Sequence, residues 1–270
     1  WLKLPSGREV GIVDVPGHEH FIKNMLAGVG SIDLALLTIA ANEGVRPQTK
    51  EHLAILDLLE IAKGVVAITK KDLVDDEWLS LVKMEIEELL NPTVLSQSPI
   101  IAVSAVTGEG LAELVSAIDE LLNVTVPKKD KGRPRLLIDR VFTIAGSGTV
   151  VTGTLIDGSL TVGQEVEIIP AGVKSRLRGL QTHKARIDTA NPGSRVAANL
   201  VGVTTSQLQR GDVLTTRGWL VPTMMLTARL RLLHYLPRPL RHNATVSFHT
   251  GAAETMAKVR LLDAEKLQPG

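Results

Sequence analysis

The periodicity of this chain changes once, and the change divides what it can fold into. Through residue 122, apolar strand-like runs at 10–13, 33–40, 64–69 and 100–103 alternate with helix-like segments at 21–29, 47–60, 77–90 and 111–122. Strand–helix alternation with runs of Val, Ile and Leu predicts a parallel sheet covered on both faces. The stretch "NVTVPKKDKGRPR" then breaks the rhythm with proline, glycine and clustered charge, and reads as a linker over 123–134. Beyond it helical spacing disappears. Short β-branched segments ("LLIDRVFTI", "GTVVTGTLI", "EVEII", "RVAANLVGV") recur between Gly, Asp and Asn turns. They predict an antiparallel β-barrel over 135–220. From Met224 a further β pattern ("MLTARLRLL", "ATVSFHTG", "AKVRLL") predicts the start of a second barrel over 221–270 that stops before closing. The first domain is expected over 1–122.

Composition narrows the classes. A length of 270 residues suits roughly two domains. The absence of cysteine excludes disulfides, thiol catalysis and Cys-based metal sites. Apolar runs such as 32–41 fall short of the ~20 residues that a bilayer span needs, and no charged leader followed by an apolar run opens the chain. A cytoplasmic location with no membrane partner is expected. Residues 1–134 carry 13 Lys/Arg against 20 Asp/Glu, and 135–270 carry 17 against 9. Polyanion contact, if any, belongs to the second half.

Three short motifs carry chemistry. "DVPGH" comprises Asp14, Val15, Pro16, Gly17 and His18. If 10–13 is a buried strand, the Asp14 carboxylate lies at the sheet's C-terminal edge, where it can hold Mg²⁺ through water. Gly17 can bring a bare N–H against a terminal phosphate, and His18 can orient a water for in-line attack. "TKKD" places Thr69, Lys70 and Asp72 at the next strand end but one. A carboxylate there can accept from both N1–H and the exocyclic amine of guanine, a pair that adenine lacks. The Lys70 stem can lie over the base with its ammonium in water. "SAV", Ser104, Ala105 and Val106, follows the run at 100–103, where a tight turn can offer the Ala105 N–H to guanine O6. Each alone also describes an ordinary turn. Their order on the strands of one sheet gives them force.

In that order the motifs resemble the translational GTPase family. "AANEGVRPQTKEHL" also resembles the family's segment between the first two. Longer stretches resemble its selenocysteine-specific branch: "DVPGHEHFIKNMLAGVGSIDLALLTIAANEGVRPQTKEHLAIL", "ITKKDLVD" and "LLIDRVFTIAGSGTVVTGTLIDGSLTVG". The likeness runs from about residue 8 to 220 and more thinly to 262. Thr69 stands where general elongation factors usually carry Asn. Threonine lacks the amide donor, so part of the loop's bracing must come from elsewhere.

The resemblance implies GTP/GDP and Mg²⁺ as ligands and a GTPase sheet of P-loop type. It makes Asp14 and Gly17 phosphate and metal-shell residues and His18 the water-positioning residue. Lys70, Asp72, Ser104 and Ala105 become guanine contacts. It further implies selenocysteinyl-tRNA and the ribosome as partners. Recognition of an mRNA hairpin would belong to C-terminal modules that have no counterpart in these residues. Asp139, Arg140 and Arg195 match the family's selenocysteine pocket, where Asp139 would hold the α-amino group or brace an arginine. Lys174, Arg176, Arg178, Lys184 and Arg186 would meet tRNA phosphates or form a solvated strand face.

No G-x-x-x-x-G-K-[ST] phosphate cradle occurs in the sequence. The expectation is an N-terminally truncated GTPase, incomplete in its sheet, that binds GTP poorly and hydrolyses it negligibly. The alternatives are a general elongation-factor-like GTPase and a cradle-less RNA-binding or scaffold module.

Overall fold

The structure, a computed structural model, describes residues 2–14, 32–125, 130–183, 185–233, 236 and 238–270. They fall into two compact units, one ending before and one starting after residues 126–129.

The first unit is built on a parallel sheet, β3 (Ala35–Ala40), β4 (Gly64–Thr69) and β5 (Ile100–Ala102), in that spatial order. It is preceded by a short antiparallel hairpin, β1 (Leu2–Lys3) with β2 (Glu9–Val10). Helices α1 (Pro47–Leu58), α2 (Asp76–Leu90) and α3 (Leu111–Asn123) follow β3, β4 and β5 in turn. Proline opens α1, where its missing N–H costs no helix bond. Asp75 caps α2 by accepting from the Trp78 N–H at 2.8 Å. Gly110 precedes α3 at φ +74, and a Cβ there would lie 2.1 Å from the Ala102 carbonyl oxygen, so only glycine fits. Val65, Ala67, Ile101 and Val103 pack against Leu114, Ala117, Ile118 and Leu121 of α3. In β4 successive residues point to opposite faces, and Val65, Val66, Ala67 and Ile68 are all at most 1% exposed, so this strand is covered on both sides. β3 is not. Its Leu36 and Thr38 are exposed while Ala35, Leu37 and Ile39 are buried.

The expected strand at 10–13 is corrected by the structure. Only Glu9–Val10 is strand, and it pairs with Leu2–Lys3 rather than joining the parallel sheet. Ile12 and Val13 are 66% and 62% exposed. An apolar run becomes a buried strand only where a neighbour takes up its backbone hydrogen bonds. No described residue pairs with 11–14. Asp14 therefore follows an exposed, irregular stretch rather than ending a buried strand. The helix expected at 21–29 lies outside the described residues.

The second unit is dominated by an antiparallel barrel. Strands β6 (Arg135–Ile144), β7 (Gly148–Leu155), β9 (Glu165–Ile169), β10 (Val173–Thr182), β13 (Arg195–Leu200) and β14 (Val213–Thr216) run β10-β13-β7-β6-β14-β9, and β9 pairs back onto β10 to close the ring. β11 (Ala185–Ile187) flanks β10, and β8 (Leu160–Thr161) pairs with β12 (Thr189–Ala190). Leu136, Ile138, Val151, Leu155, Ile168 and Leu214 are fully buried inside. The chain enters this barrel along a fixed path. Asp157, 3% exposed, accepts from the Lys131 and Gly158 N–H groups at 2.6 and 3.0 Å and from Arg135 Nη2 at 3.2 Å. Burial alone raises a carboxyl pKa, but these bonds and a contact from Asp130 outweigh it, and Asp157 lies below the usual range.

Past the barrel, β16 (Ala244–Thr250) and β17 (Ala253–Val259) form a hairpin, and β15 (Leu240–Arg241) pairs with β18 (Lys266–Leu267). The β pattern read in "MLTARLRLL" is not realised as a strand. Residues 221–231 are exposed and irregular, because no described strand lies beside them to complete a ladder.

Candidate functional site

At the C-terminal edge of the parallel sheet, two loops meet. The backbone of β4 ends at Thr69, whose Oγ1 donates to the Ile39 carbonyl at 3.4 Å. The Ala41 N–H donates to the Thr69 carbonyl at 2.8 Å. These bonds tie the β3 and β4 ends together. Lys70 adopts φ +58, left-handed, and turns the chain into a single 3-10 turn, Lys71–Leu73. Asp72 sits in that turn, exposed, with no hydrogen bond or ion pair among the described residues.

The second loop follows β5. Ser104 is fully buried, and its hydroxyl accepts from the Val106 and Thr107 N–H groups at 3.2 and 3.1 Å. Its carbonyl accepts from the Gly108 N–H at 3.0 Å. The turn this creates leaves Ala105 exposed, with no acceptor for its N–H among the described residues. Val106 is 85% exposed.

Lys71 joins the two loops. Its N–H donates to the Val103 carbonyl at 3.1 Å, and its ammonium pairs with Glu109. That hydrogen bond to Glu109 holds the Lys71 pKa above its ordinary value. On the other flank the Lys70 ammonium lies 3.2 Å from Glu43 Oε1, and its hydrogen bond and charge hold the Glu43 carboxyl below the usual range. The bracing that Thr69 cannot give through an amide is thus supplied by Lys71 and Glu109. Lys71 stood inside the quoted motif without a role, and Glu109 and Glu43 carried no sequence signal, because both lie in ordinary polar turns.

Of the phosphate-side residues only Asp14 is described. It is exposed, with no hydrogen bond or ion pair among the described residues. Val15, Pro16, Gly17 and His18 lie outside the described residues. Among the described residues no group of three His, Asp or Glu side chains is arranged to hold a metal ion. A lone exposed carboxylate suits Mg²⁺, which keeps most of its own water shell.

The barrel has its own polar site. Between Ile138 and Arg140 the β6–β7 register slips by one residue, so Asp139 is the extra residue of a bulge. Opposite it, a Cβ on Gly153 would lie 2.0 Å from the Leu137 carbonyl oxygen, and only glycine permits the close approach. Asp139 accepts from Arg195 Nη1 at 2.5 Å and Nη2 at 2.9 Å, a bidentate pair, and from Thr152 Oγ1 at 2.9 Å. Of the two roles open to Asp139, bracing an arginine is the one seen. Arg140, the next residue, is exposed and has no partner among the described residues. Thr152 was not singled out from sequence. It is the register partner of Arg140, which only the pairing reveals. On β10, Lys174, Arg176 and Arg178 alternate on the exposed side, and Arg178 Nη1 donates to the Ser147 carbonyl at 2.9 Å. Lys184 lies outside the described residues.

A parallel sheet with two loops joined at its C-terminal edge, together with a closed six-stranded barrel, is the arrangement of the translational GTPases, and the chain belongs to that family. Residues 5–124 match the elongation factor Tu GTP-binding domain and residues 148–215 match elongation factor Tu domain 2. Within the family its homology lies with the selenocysteine-specific elongation factors. It is 46% identical over all 270 residues to the one from Desulfomicrobium baculatum and 36% identical over 265 residues, 96% of the chain, to that of Escherichia coli K12. The chain spans 43% and 41% of those relatives' lengths. Among solved structures, apo SelB from Methanococcus maripaludis superposes with a TM-score of 0.80 at 32% identity, covering 90% of this chain and 55% of that one. SelB of the same organism in complex with the GTP analogue GPPNHP gives 0.78 at 28% identity over 94% and 61%. No helix among the described residues is long and apolar enough to cross a membrane.

Proposed function

We propose that the chain is the nucleotide- and aminoacyl-tRNA-binding part of a GTP-dependent elongation factor that delivers selenocysteinyl-tRNA to the ribosome. One observation supports this most: the Asp72 carboxylate and the Ala105 N–H, neither with a partner among the described residues, stand on two loops joined by Lys71. Guanine offers N1–H and an amine to a carboxylate and O6 to an N–H donor. Adenine reverses that edge, leaving Asp72 and Ala105 unmatched. The Lys70 stem, held at its tip by Glu43, covers the base.

On the phosphate side, Gly17 donates its N–H to the terminal phosphate and His18 orients the attacking water. Mg²⁺, when held through water by Asp14, neutralises charge on the β- and γ-phosphates. Hydrolysis releases the tRNA by collapse of the switch segments. In the barrel, Arg195 braced by Asp139 and Arg140, which has no partner among the described residues, distinguish a selenolate from the neutral hydroxyl of serine. A selenol is more acidic than a thiol, whose pKa is about 8.5, and so carries charge near neutral pH. Lys174, Arg176 and Arg178 meet the tRNA backbone, with binding that weakens as salt rises. Because the sequence contains no G-x-x-x-x-G-K-[ST] cradle, this chain alone binds GTP weakly and hydrolyses it negligibly.

Two measurements test the reading. Fluorescent GDP is displaced by guanine but not adenine nucleotides, and Asp72→Asn turns the preference toward xanthine, whose carbonyl needs a donor. Retention of selenocysteinyl-tRNA exceeds that of seryl-tRNA on the same tRNA body, and Arg140→Ala narrows the gap. Equal retention by the unaltered chain sinks the selenocysteine assignment and leaves a general elongation factor.

A further inference from the structure

Asp119 lies near the C-terminal end of α3, 7% exposed, and the nucleotide and tRNA readings give it no part. Its carboxylate accepts two bonds from one residue of the β1–β2 hairpin, the Ser6 N–H at 2.8 Å and the Ser6 hydroxyl at 2.6 Å. The hairpin can present both because its turn is tight. The Gly7 N–H donates to the Leu4 carbonyl at 2.9 Å, and Leu4 is itself 3% exposed. A buried carboxylate that loses its donors keeps the cost of its desolvation, so this contact resists opening.

A second grip follows on the same hairpin. Arg8 Nη1 donates to the Leu122 carbonyl at 2.7 Å. A third comes from Lys63, just before β4, whose Nζ donates to the Val124 carbonyl at 2.9 Å and to Thr125 Oγ1 at 3.1 Å. Thr125 Oγ1 in turn donates to the Leu121 carbonyl at 2.6 Å. The last carbonyls of a helix have no partner within it and carry partial negative charge. Here two cations from different elements and one hydroxyl take them up. The hairpin and Lys63 therefore hold one short stretch, residues 119–125. Two other segments depend on that stretch. β2 ends at Val10, shortly before Asp14 and the DVPGH motif, and the chain runs on from Thr125 into the linker.

From these contacts we infer that the C-terminal turn of α3 is a coupling device. Release of the hairpin loosens the start of the linker, and release of the linker's start loosens the hairpin. Helix ends open locally, and carbonyls so close together in one turn open as a group. Ser6 and Arg8 act on that group from the hairpin, and Lys63 acts on it from β4. Two grips on one local opening are linked, and the linkage is reciprocal. Asp119 is thus a positioning residue for the hairpin. The inference does not rest on the nucleotide reading. Under that reading it gives movement at the DVPGH motif a route into the linker.

The test is amide hydrogen exchange on the full chain, ¹⁵N-labelled, read by NMR. The reporters are hydrogen-bonded amides: Leu4 and Gly7 in the hairpin, Val124 and Thr125 at the helix end, and Val103, bonded to the Ile68 carbonyl, as the control. Ser6→Ala is expected to speed exchange at Leu4 and Gly7, and by about fivefold at Val124 and Thr125 as well. Asp119→Asn, which keeps the side chain's shape, has the same pattern. Lys63→Met speeds Val124 and Thr125 and, by a similar factor, Leu4 and Gly7. Val103 stays as it was in all three variants. Ser6 is exposed and Lys63 half-buried, so circular dichroism is expected to report an intact fold. The proposal is overturned if Ser6→Ala and Asp119→Asn leave Val124 and Thr125 unchanged, or if Lys63→Met leaves the hairpin amides unchanged. It is equally overturned if Val103 accelerates by the same factor, because the unit is then loosened as a whole.

Discussion

The two largest sheets among the described residues solve the edge problem differently. The barrel has no free edge within its ring, since β9 returns to β10 and every ring strand has two neighbours. The parallel sheet is covered on both faces only at β4, while β3 keeps Leu36 42% exposed and no described strand on its outer side. The barrel is therefore expected to be the more stable unit, and the sheet the one whose backbone opens first to exchange. Both carry their polar sites beside rigid backbone, but the barrel's site is set by a bulge and the sheet's by strand ends.

Substitutions can break that contrast one side at a time. The largest effect is expected from Ile168→Ala in the closing strand β9, where the side chain is fully buried. Removing it costs about 2–5 kcal/mol. With Trp1→Phe as background, the urea transition seen by Trp219 moves down and that seen by Trp78 stays. Gly110→Ala should do the reverse. A left-handed φ and a Cβ 2.1 Å from a carbonyl oxygen cost about 2 kcal/mol, and the Trp78 transition alone shifts. Asp139→Asn loses the bidentate arginine pair, and because Arg195 is 46% exposed the cost is only about 1 kcal/mol, read on the Trp219 transition.

The smallest effect is a pH response with two signs in one unit. Asp157 has a lowered pKa, so its contribution is complete above the ordinary carboxylate range and disappears as pH falls through its depressed value. Asp212, 1% exposed, is raised by burial, which exceeds the bonds it accepts from Gln209. Its ionised form weighs against the fold, so its contribution improves as pH falls through the raised value and levels off below the ordinary range, near about 4. Asp157→Asn should flatten the acid loss in a pH series of urea midpoints, and Asp212→Asn the slight gain above it.

Much of this was legible in the sequence where pattern and pairing coincide. The runs at 64–69 and 100–103 and the helices after them follow from period alone, because each is long and strongly patterned. The two loops that meet at the sheet's C-terminal edge were legible as well, because Thr69–Asp72 and Ser104–Val106 sit at fixed offsets from strand ends. Two β readings failed, at 11–13 and at 225–233, and for one reason. Alternation and hydrophobicity report what a segment would bury, whereas a strand also needs a neighbour for its backbone. Thr152, and which arginine Asp139 pairs with, were hidden because a one-residue slip in register leaves composition untouched.

That slip has a consequence for how the barrel's polar site can change over time. Asp139 reaches Arg195 because β6 holds one residue more than β7 opposite it. A single-codon deletion there would restore an unbroken ladder and, in the same event, swing the neighbouring side chains to the other surface. The arginine clasp is thus encoded by chain length as much as by residue identity. A lineage could lose it in one mutation that leaves Arg195 and Thr152 unchanged.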